Sequence, residues 1–278
     1  MNQHLFVLYL CFMSKTNHFQ GKIVWITGAS SGIGKELSIQ LAKLGAKLIL
    51  SSRKENLLRD LKESLPFKEE HTVLPMDLAK PNEFEGLMQR VEARYDRIDL
   101  LIQNGGISQR ATAADSSEEV VRRIMEVNFF GNVFLMKRVL PKLRASHGQV
   151  LVISSIAGKF GFYLRSSYSA SKHALHGYYE SLALEEEKHG VSVTIACPGK
   201  INTPISTNAL DSRGQKHGEM DHNQETGMPV EECVSQLLDA VSRRKREVLV
   251  GNKEVKAVIL KRFFPVLFWK IIKKQSAT

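Results

Sequence analysis

The chain has 278 residues, 43% hydrophobic and 24% charged, which is ample apolar material for a buried core and excludes wholesale disorder. Cys11, Cys197 and Cys233 stand far apart with no CxxC pair and no adjacent histidine cluster, which excludes a disulfide framework and a zinc ribbon and fits a reducing compartment with no bound metal. The formal net charge of +10 is concentrated: from Val241 onward eleven Lys/Arg stand against two Asp/Glu, so the rest is nearly neutral and no nucleic-acid-reading face is expected.

No run reaches the ~20 apolar residues that span a bilayer. Leu5 to Met13 is apolar but has neither a basic lead nor a small-residue cleavage pattern, so 1–20 is expected to be a short anchor or a tail, with Met13 an alternative start. Beyond it, short apolar runs alternate with helical patterns. Strands are expected at Lys22–Thr27, Lys47–Ser51, Thr72–Met76, Leu100–Gln103, Val150–Ile153 and Val191–Ala196. Between them the 3.6-residue period predicts helices over Gly34–Leu44, Glu55–Leu65, Glu83–Tyr95, Ser116 to about Leu143, and Ser167–Lys188. Parallel pairing with right-handed crossovers follows, giving one doubly wound α/β domain over 21–256 with helices on both faces. The polar stretch 202–228 has no strong period and follows the sixth strand, where a mobile substrate lid belongs. Residues 257–278 interleave aromatics with lysines, suiting either an interfacial membrane segment or a helix pair packed on the domain or a neighbouring subunit. The expected location is the cytoplasm, with membrane association left open.

Two clusters carry chemistry. Gly28, Ser30, Ser31, Gly32, Ile33 and Gly34 form a Gly-x-x-x-Gly-x-Gly turn between a strand and a helix, where backbone can approach a pyrophosphate at a helix N-terminus. The second strand ends in Ser51-Ser52-Arg53-Lys54 where an NAD site would place a carboxylate, so Arg53 favours the 2′-phosphate of NADP(H). Some 140 residues on, Tyr168 and Lys172 share one helical face, and Ser155 stands at a strand end. A phenol with an ordinary pKa near ~10 needs a neighbouring ammonium to serve as an acid/base at neutral pH. Ser155 can hold the substrate oxygen, while Ser154 points the other way.

Thr27–Gly34, Asp77, Asn104-Gly105-Gly106, Asn128, Ser155, Tyr168-x-x-x-Lys172 and Pro198-Gly199 resemble, in order, the motifs of the short-chain dehydrogenase/reductase family over residues 22–205. Asn104–Arg110 and Ser169–Leu175 are similar to the dehydrogenase/reductase member 7 subgroup. The resemblance implies a tetrad of Asn128, Ser155, Tyr168 and Lys172, with Asn128 binding a water that leads protons to Lys172. It implies cofactor contacts from Ser52, Asp77 and Leu78 near the adenine end, Asn104 and Gly105 near the ribose, and Pro198, Gly199, Ile201 and Thr203 near the nicotinamide. A homodimer or homotetramer is also implied. Two departures stand out: Gln103-Asn104-Gly105-Gly106 replaces Asn-Asn-Ala-Gly, and Lys200 follows Pro198-Gly199. The expected function is NADP(H)-dependent interconversion of a carbonyl and an alcohol on a hydrophobic small molecule. A catalytically silent NADP(H)-binding regulator and a membrane-associated scaffold are the alternatives.

Overall fold

The computed structural model describes residues 18–221 and 225–273; the apolar run at Leu5 to Met13, the alternative start and Cys11 lie outside them. Seven parallel strands make one sheet in the order β3-β2-β1-β4-β5-β6-β7. They are β1 (Ile23–Thr27), β2 (Lys47–Ser51), β3 (Thr72–Val73), β4 (Leu100–Gln103), β5 (Gln149–Ile153), β6 (Ser192–Pro198) and β7 (Glu247–Val250).

The central strands are apolar on both sides because both faces are covered. Trp25, Ile49, Leu101 and Val150 point into one core, filled from α3 (Phe84–Glu92), α5 (Gly131–Ser146) and α6 (Ser166–Glu185) by Phe84, Leu135, Met136 and Leu175. Val24, Ile26, Leu48 and Leu50 point into the other, filled from α1 (Gly32–Lys43), α2 (Glu55–Ser64) and α7 (Val230–Ser242) by Leu37, Leu41, Leu58 and Leu237. Strand order reverses between β1 and β4, so the loops leaving their carboxyl ends part and open a crevice.

Four differences from the sequence-based expectations have local causes. β3 is two residues long at the sheet edge; beyond it Leu74 N and Met76 N still donate to Leu50 O (2.9 Å) and Ser52 O (3.0 Å), and Pro75 between them turns its missing N–H to the open edge, where no ladder bond is lost. β7 was not expected: four residues at a sheet edge, opening on exposed Glu247, are too short to show a period. The long helix after Ser116 is two helices, α4 (Glu118–Met125) and α5, joined by a π-helical turn at Glu126–Phe130. Phe19, expected in the N-terminal tail, is wholly buried in the core beside α1.

The stretch expected as a mobile lid is stitched to the domain. Leu210 N donates to Ser108 O (2.9 Å), Arg110 N donates to Leu210 O (2.7 Å), and Ser117 N donates to Ser212 O (3.0 Å). Residues 222–224 of this stretch are outside the described residues.

Candidate active site

The glycine turn leaves β1 at its carboxyl end. Gly28 and Gly32 take φ of 67° and 53°, the left-handed region that side chains disfavour. A Cβ on Gly28 would stand 2.8 Å from Asn104 Nδ2, and one on Gly34 would collide with the Gly28 carbonyl. The backbone is therefore bare where α1 begins. No acidic side chain occupies the first turn of α1 and the Ser31 side chain makes no cap, so the helix N-terminus offers its N–H groups outward. This cradle fits a pyrophosphate, and Ser30, Ser31 and Ile33 line it.

Asn104 reaches across the crevice as a staple. Its Nδ2 donates to Thr27 O and Gly28 O, both at 3.1 Å, while Thr27 Oγ1 accepts from Asn104 N and Gly105 N, both at 3.0 Å. Leu78 is buried against Gly105, whose missing Cβ leaves room for it, and Asp77 Oδ1 accepts from Ala79 N at 3.0 Å. Ser52 is half-buried and Arg53 exposed at the end of β2, on the same crevice edge. From the far side, a Cβ on Gly32 would lie 3.3 Å from Thr203 Cβ, so the segment after β6 faces the cradle. Ile201 is buried, and Pro198 ends β6.

The proton-handling cluster lies beside this cradle. Tyr168 is buried in the first turns of α6, and its phenol hydrogen-bonds Ser155. Ser155 Oγ also donates to Pro198 O (3.3 Å) and accepts from Ala157 N (3.1 Å), so the hydroxyl is oriented from two sides. One turn along α6, Lys172 Nζ donates to Ile153 O (2.8 Å) and lies 5.6 Å from the Tyr168 ring centroid. Burial lowers the Lys172 ammonium to about 8. Burial raises the Tyr168 phenol, opposed by the Arg165 charge and then by the Ser155 hydrogen bond. Arg165, three residues before Tyr168, is the positive charge that opposes the effect of burial on the phenol.

Asn128 sits in the π-helical turn. Its Oδ1 accepts from Ile107 N (2.8 Å), and its Nδ2 donates to Ile107 O (2.9 Å) and Ser171 Oγ (3.0 Å). The amide pins the segment after β4 to α6 with both Nδ2 hydrogens and one lone pair of Oδ1. Asn128 and Lys172 both close on the bare backbone of Gly106, where a Cβ would stand 3.2 Å from Asn128 Oδ1 and 3.6 Å from Lys172 Nζ.

Three groups escaped sequence reasoning. Asp221 accepts from Arg110 Nε (3.0 Å) and from Arg165 Nη2 (2.9 Å), with Arg110 Nη2 also against it, and both Arg110 and Asp221 are buried. Burial, then Arg165, pulls the Arg110 guanidinium down to about 10. The three-residue spacing of Arg165 and Tyr168 was the only available signal for this triad. Glu254 Oε1 accepts from Lys200 N (2.9 Å) and Asn252 N (3.2 Å), clamping the Pro198-Gly199-Lys200 turn from 54 residues away. The fold also brings His176 Nε2 to 3.6 Å from Cys197 Sγ, although burial pushes that thiol up to about 12 and keeps it protonated.

A seven-stranded parallel sheet with a glycine cradle at its β1–β4 crevice and a buried Ser–Tyr–Lys cluster beside it has close relatives. The profile of the short chain dehydrogenase family matches residues 22–214. The chain belongs to that family. The dehydrogenase/reductase SDR family protein 7-like of Drosophila melanogaster is 36% identical over 267 residues, covering 94% of this chain and 82% of the relative. A short chain dehydrogenase from Burkholderia cenocepacia, solved in complex with NADP, superposes with TM-score 0.76 at 24% identity, over 92% of this chain and 99% of that one. A relative from Burkholderia phymatum, solved in complex with NAD, gives 0.78 at 20% identity, over 94% and 98%. Within this short-chain dehydrogenase, the departure at Gln103 has a packing explanation. Gln103 Nε2 donates to Asn132 O (2.7 Å) and its Oε1 accepts from buried Tyr179, so the longer amide reaches a phenol that a shorter one could not.

Proposed function

We propose that this chain is an NADP(H)-dependent oxidoreductase that interconverts a carbonyl and an alcohol, with Tyr168 as general acid/base. The observation that carries the proposal is the buried Tyr168 phenol held to Ser155, with Lys172 5.6 Å from its ring, beside a glycine cradle that a side chain would fill. Gly28, Ser30, Ser31, Gly32, Ile33 and Gly34 would hold the pyrophosphate, and Ser52 and Arg53 the 2′-phosphate. Asp77, Leu78, Asn104 and Gly105 would border the adenosine, and Pro198, Gly199, Ile201 and Thr203 the nicotinamide. When bound, that group supplies or takes up the hydride at the substrate carbon.

The protein's share is positioning and proton transfer. Ser155 hydrogen-bonds the substrate oxygen, and Tyr168 donates its proton to that oxygen in reduction and recovers it in oxidation. Lys172 stabilises the phenolate formed in between. Arg165, held by Asp221, adds a second positive charge near the phenol. The basic, aromatic segment after Lys256 suits a hydrophobic small-molecule substrate. Pairing of copies through the long helices, which expose Phe130 and Leu184, would give a homodimer or homotetramer.

The test follows NADPH and NADH consumption against a panel of ketones, aldehydes, quinones and steroids. The wild type is expected to turn over with NADPH in preference to NADH, Tyr168→Phe to lose turnover while still binding cofactor, and Arg53→Asp to reverse the preference. Equal use of both cofactors, or Tyr168→Phe retaining wild-type turnover, would overturn the corresponding part.

A further inference from the structure

After Glu254 the described chain forms two short helices, α8 (Lys256–Phe263) and α9 (Pro265–Ile272), broken at Phe264 because Pro265 has no N–H with which to continue the first. They are fastened to the domain along one side, where Ala257, Val258, Leu260 and Ile272 pack half-buried against the core. Phe268 is buried with its ring 5.0 Å from Phe160, and Lys261 Nζ donates to Lys159 O at 2.8 Å. Most of the other large side chains face water: Ile259 is 55% exposed, Phe263 65%, Phe264 61%, Val266 71%, Leu267 48%, Trp269 51% and Ile271 43%. Large exposed apolar residues elsewhere on the described surface are scattered singly, as is ordinary; here they are contiguous, which marks an interaction surface.

The charge on the same segment identifies the partner. Lys256, Arg262, Lys270 and Lys273 are exposed among the apolar side chains, and residues 255–273 contain no Asp or Glu. We propose that α8 and α9 dock on the surface of an anionic lipid bilayer. Aromatic and aliphatic groups sink to the acyl boundary while lysine and arginine stems extend up to lipid phosphates. A second copy of the same patch would set like charges against each other, which disfavours self-association here. Each helix has eight residues, about 12 Å at ~1.5 Å per residue, against a hydrocarbon core of ~30 Å, so the segment lies in the interface and does not cross it. Among the described residues no helix is long and apolar enough to span a membrane.

The docking segment packs on the loop that joins Ser155 to Tyr168 in the chain. Phe268 packs on Phe160, Phe160 stacks on Phe162 at 4.8 Å, and Tyr163 in the same loop is 68% exposed between Ser155 and Tyr168. Resting on the oxidoreductase function proposed above, this arrangement places the substrate entrance at the lipid surface, where a hydrophobic carbonyl or alcohol would be dissolved.

The full chain carries its own reporter, because its two tryptophans are Trp25, wholly buried in the sheet, and Trp269 on the proposed surface. Flotation with vesicles of phosphatidylcholine and phosphatidylserine, and with phosphatidylcholine alone, is read beside tryptophan emission and quenching by brominated acyl chains. The expected result is binding that needs phosphatidylserine, weakens with added salt, and blue-shifts and quenches Trp269. The double variant Phe264→Ser/Leu267→Ser, exposed and outside the catalytic cluster, is expected to bind at least ~10-fold more weakly, the scale set by losing two large apolar side chains. Its turnover of a water-soluble carbonyl should equal wild type, so failure of docking and failure of the enzymatic function are read separately. Wild type that stays unbound on both vesicles, or a double variant that binds as wild type does, overturns the proposal. A wild-type dimer that the double variant converts to monomer would assign the surface to a second copy instead.

Discussion

Lys172 is the residue at which burial and function are most directly opposed. Its ammonium is enclosed beneath the sheet edge and falls from the ordinary lysine value of 10.5 to about 8. Between those two values the unfolded chain holds a proton that the native chain has shed, so this group makes stability rise with pH across that window. Below pH 8 both forms are charged and the native state bears the full cost, about 3 kcal/mol from ~2.5 units at ~1.36 kcal/mol each. Lys172→Met should therefore be inactive yet more stable than wild type at pH 7, with the gap closing as pH rises from 8 towards 10. Urea unfolding at several pH values checks this, and a gap that stays constant with pH would contradict it. Tyr168 is raised by burial and acts with the opposite sign only above its ordinary value of 10, outside the useful part of that scan. Gly106 offers a second test at this scale. Its absent side chain lets Asn128 Oδ1 and Lys172 Nζ approach the backbone, to 3.2 and 3.6 Å of where a Cβ would stand. Gly106→Ala should lower kcat more than it weakens cofactor binding, because the methyl presses on Asn128 and Lys172 and leaves the glycine turn of β1 untouched.

Among the elements, the π-helical turn and the post-β6 stretch do the positioning. The turn at Glu126–Phe130 aims the Asn128 amide at Ile107 and Ser171, tying β4's loop to α6. The post-β6 stretch is anchored by Asp221 between Arg110 and Arg165. Removing one member of a buried ion pair leaves an uncompensated charge and typically costs ~3–5 kcal/mol. Asp221→Asn should lower stability on that scale and speed amide exchange in residues 203–221, with Arg110→Met in the same background recovering part of the loss. Unchanged exchange would show that backbone bonds such as Leu210 N to Ser108 O suffice. Phe268 makes a parallel case for α9: truncating a buried phenylalanine usually costs ~3–5 kcal/mol. Here Phe268→Ala should loosen α9 to proteolysis before the sheet unfolds, since Phe268 is the one side chain of that helix that is fully buried.

For the whole molecule, the two cores share one sheet, and successive residues of β1 serve opposite cores: Val24 and Ile26 one, Trp25 the other. Neither core can open without exposing the same strands, so the domain should unfold in one cooperative transition. Emission from Trp25 and far-UV circular dichroism should coincide along a denaturant curve, and separated midpoints would contradict the shared-sheet picture. The sequence alone determined the alternation of strands and helices, because a strand covered on both faces must be apolar throughout and a covering helix must repeat every 3.6 residues. It likewise exposed the glycine turn, the Tyr168–Lys172 spacing and the basic, aromatic run after Lys256, since each is local chemistry within a few residues. Tertiary structure decided what depends on distant partners or on strand edges. β7, Glu254 on the Lys200 turn, Asp221 between two arginines and the burial that shifts Lys172 carry no local period or motif. They exist only once residues up to 111 positions apart have been brought together around a desolvated core.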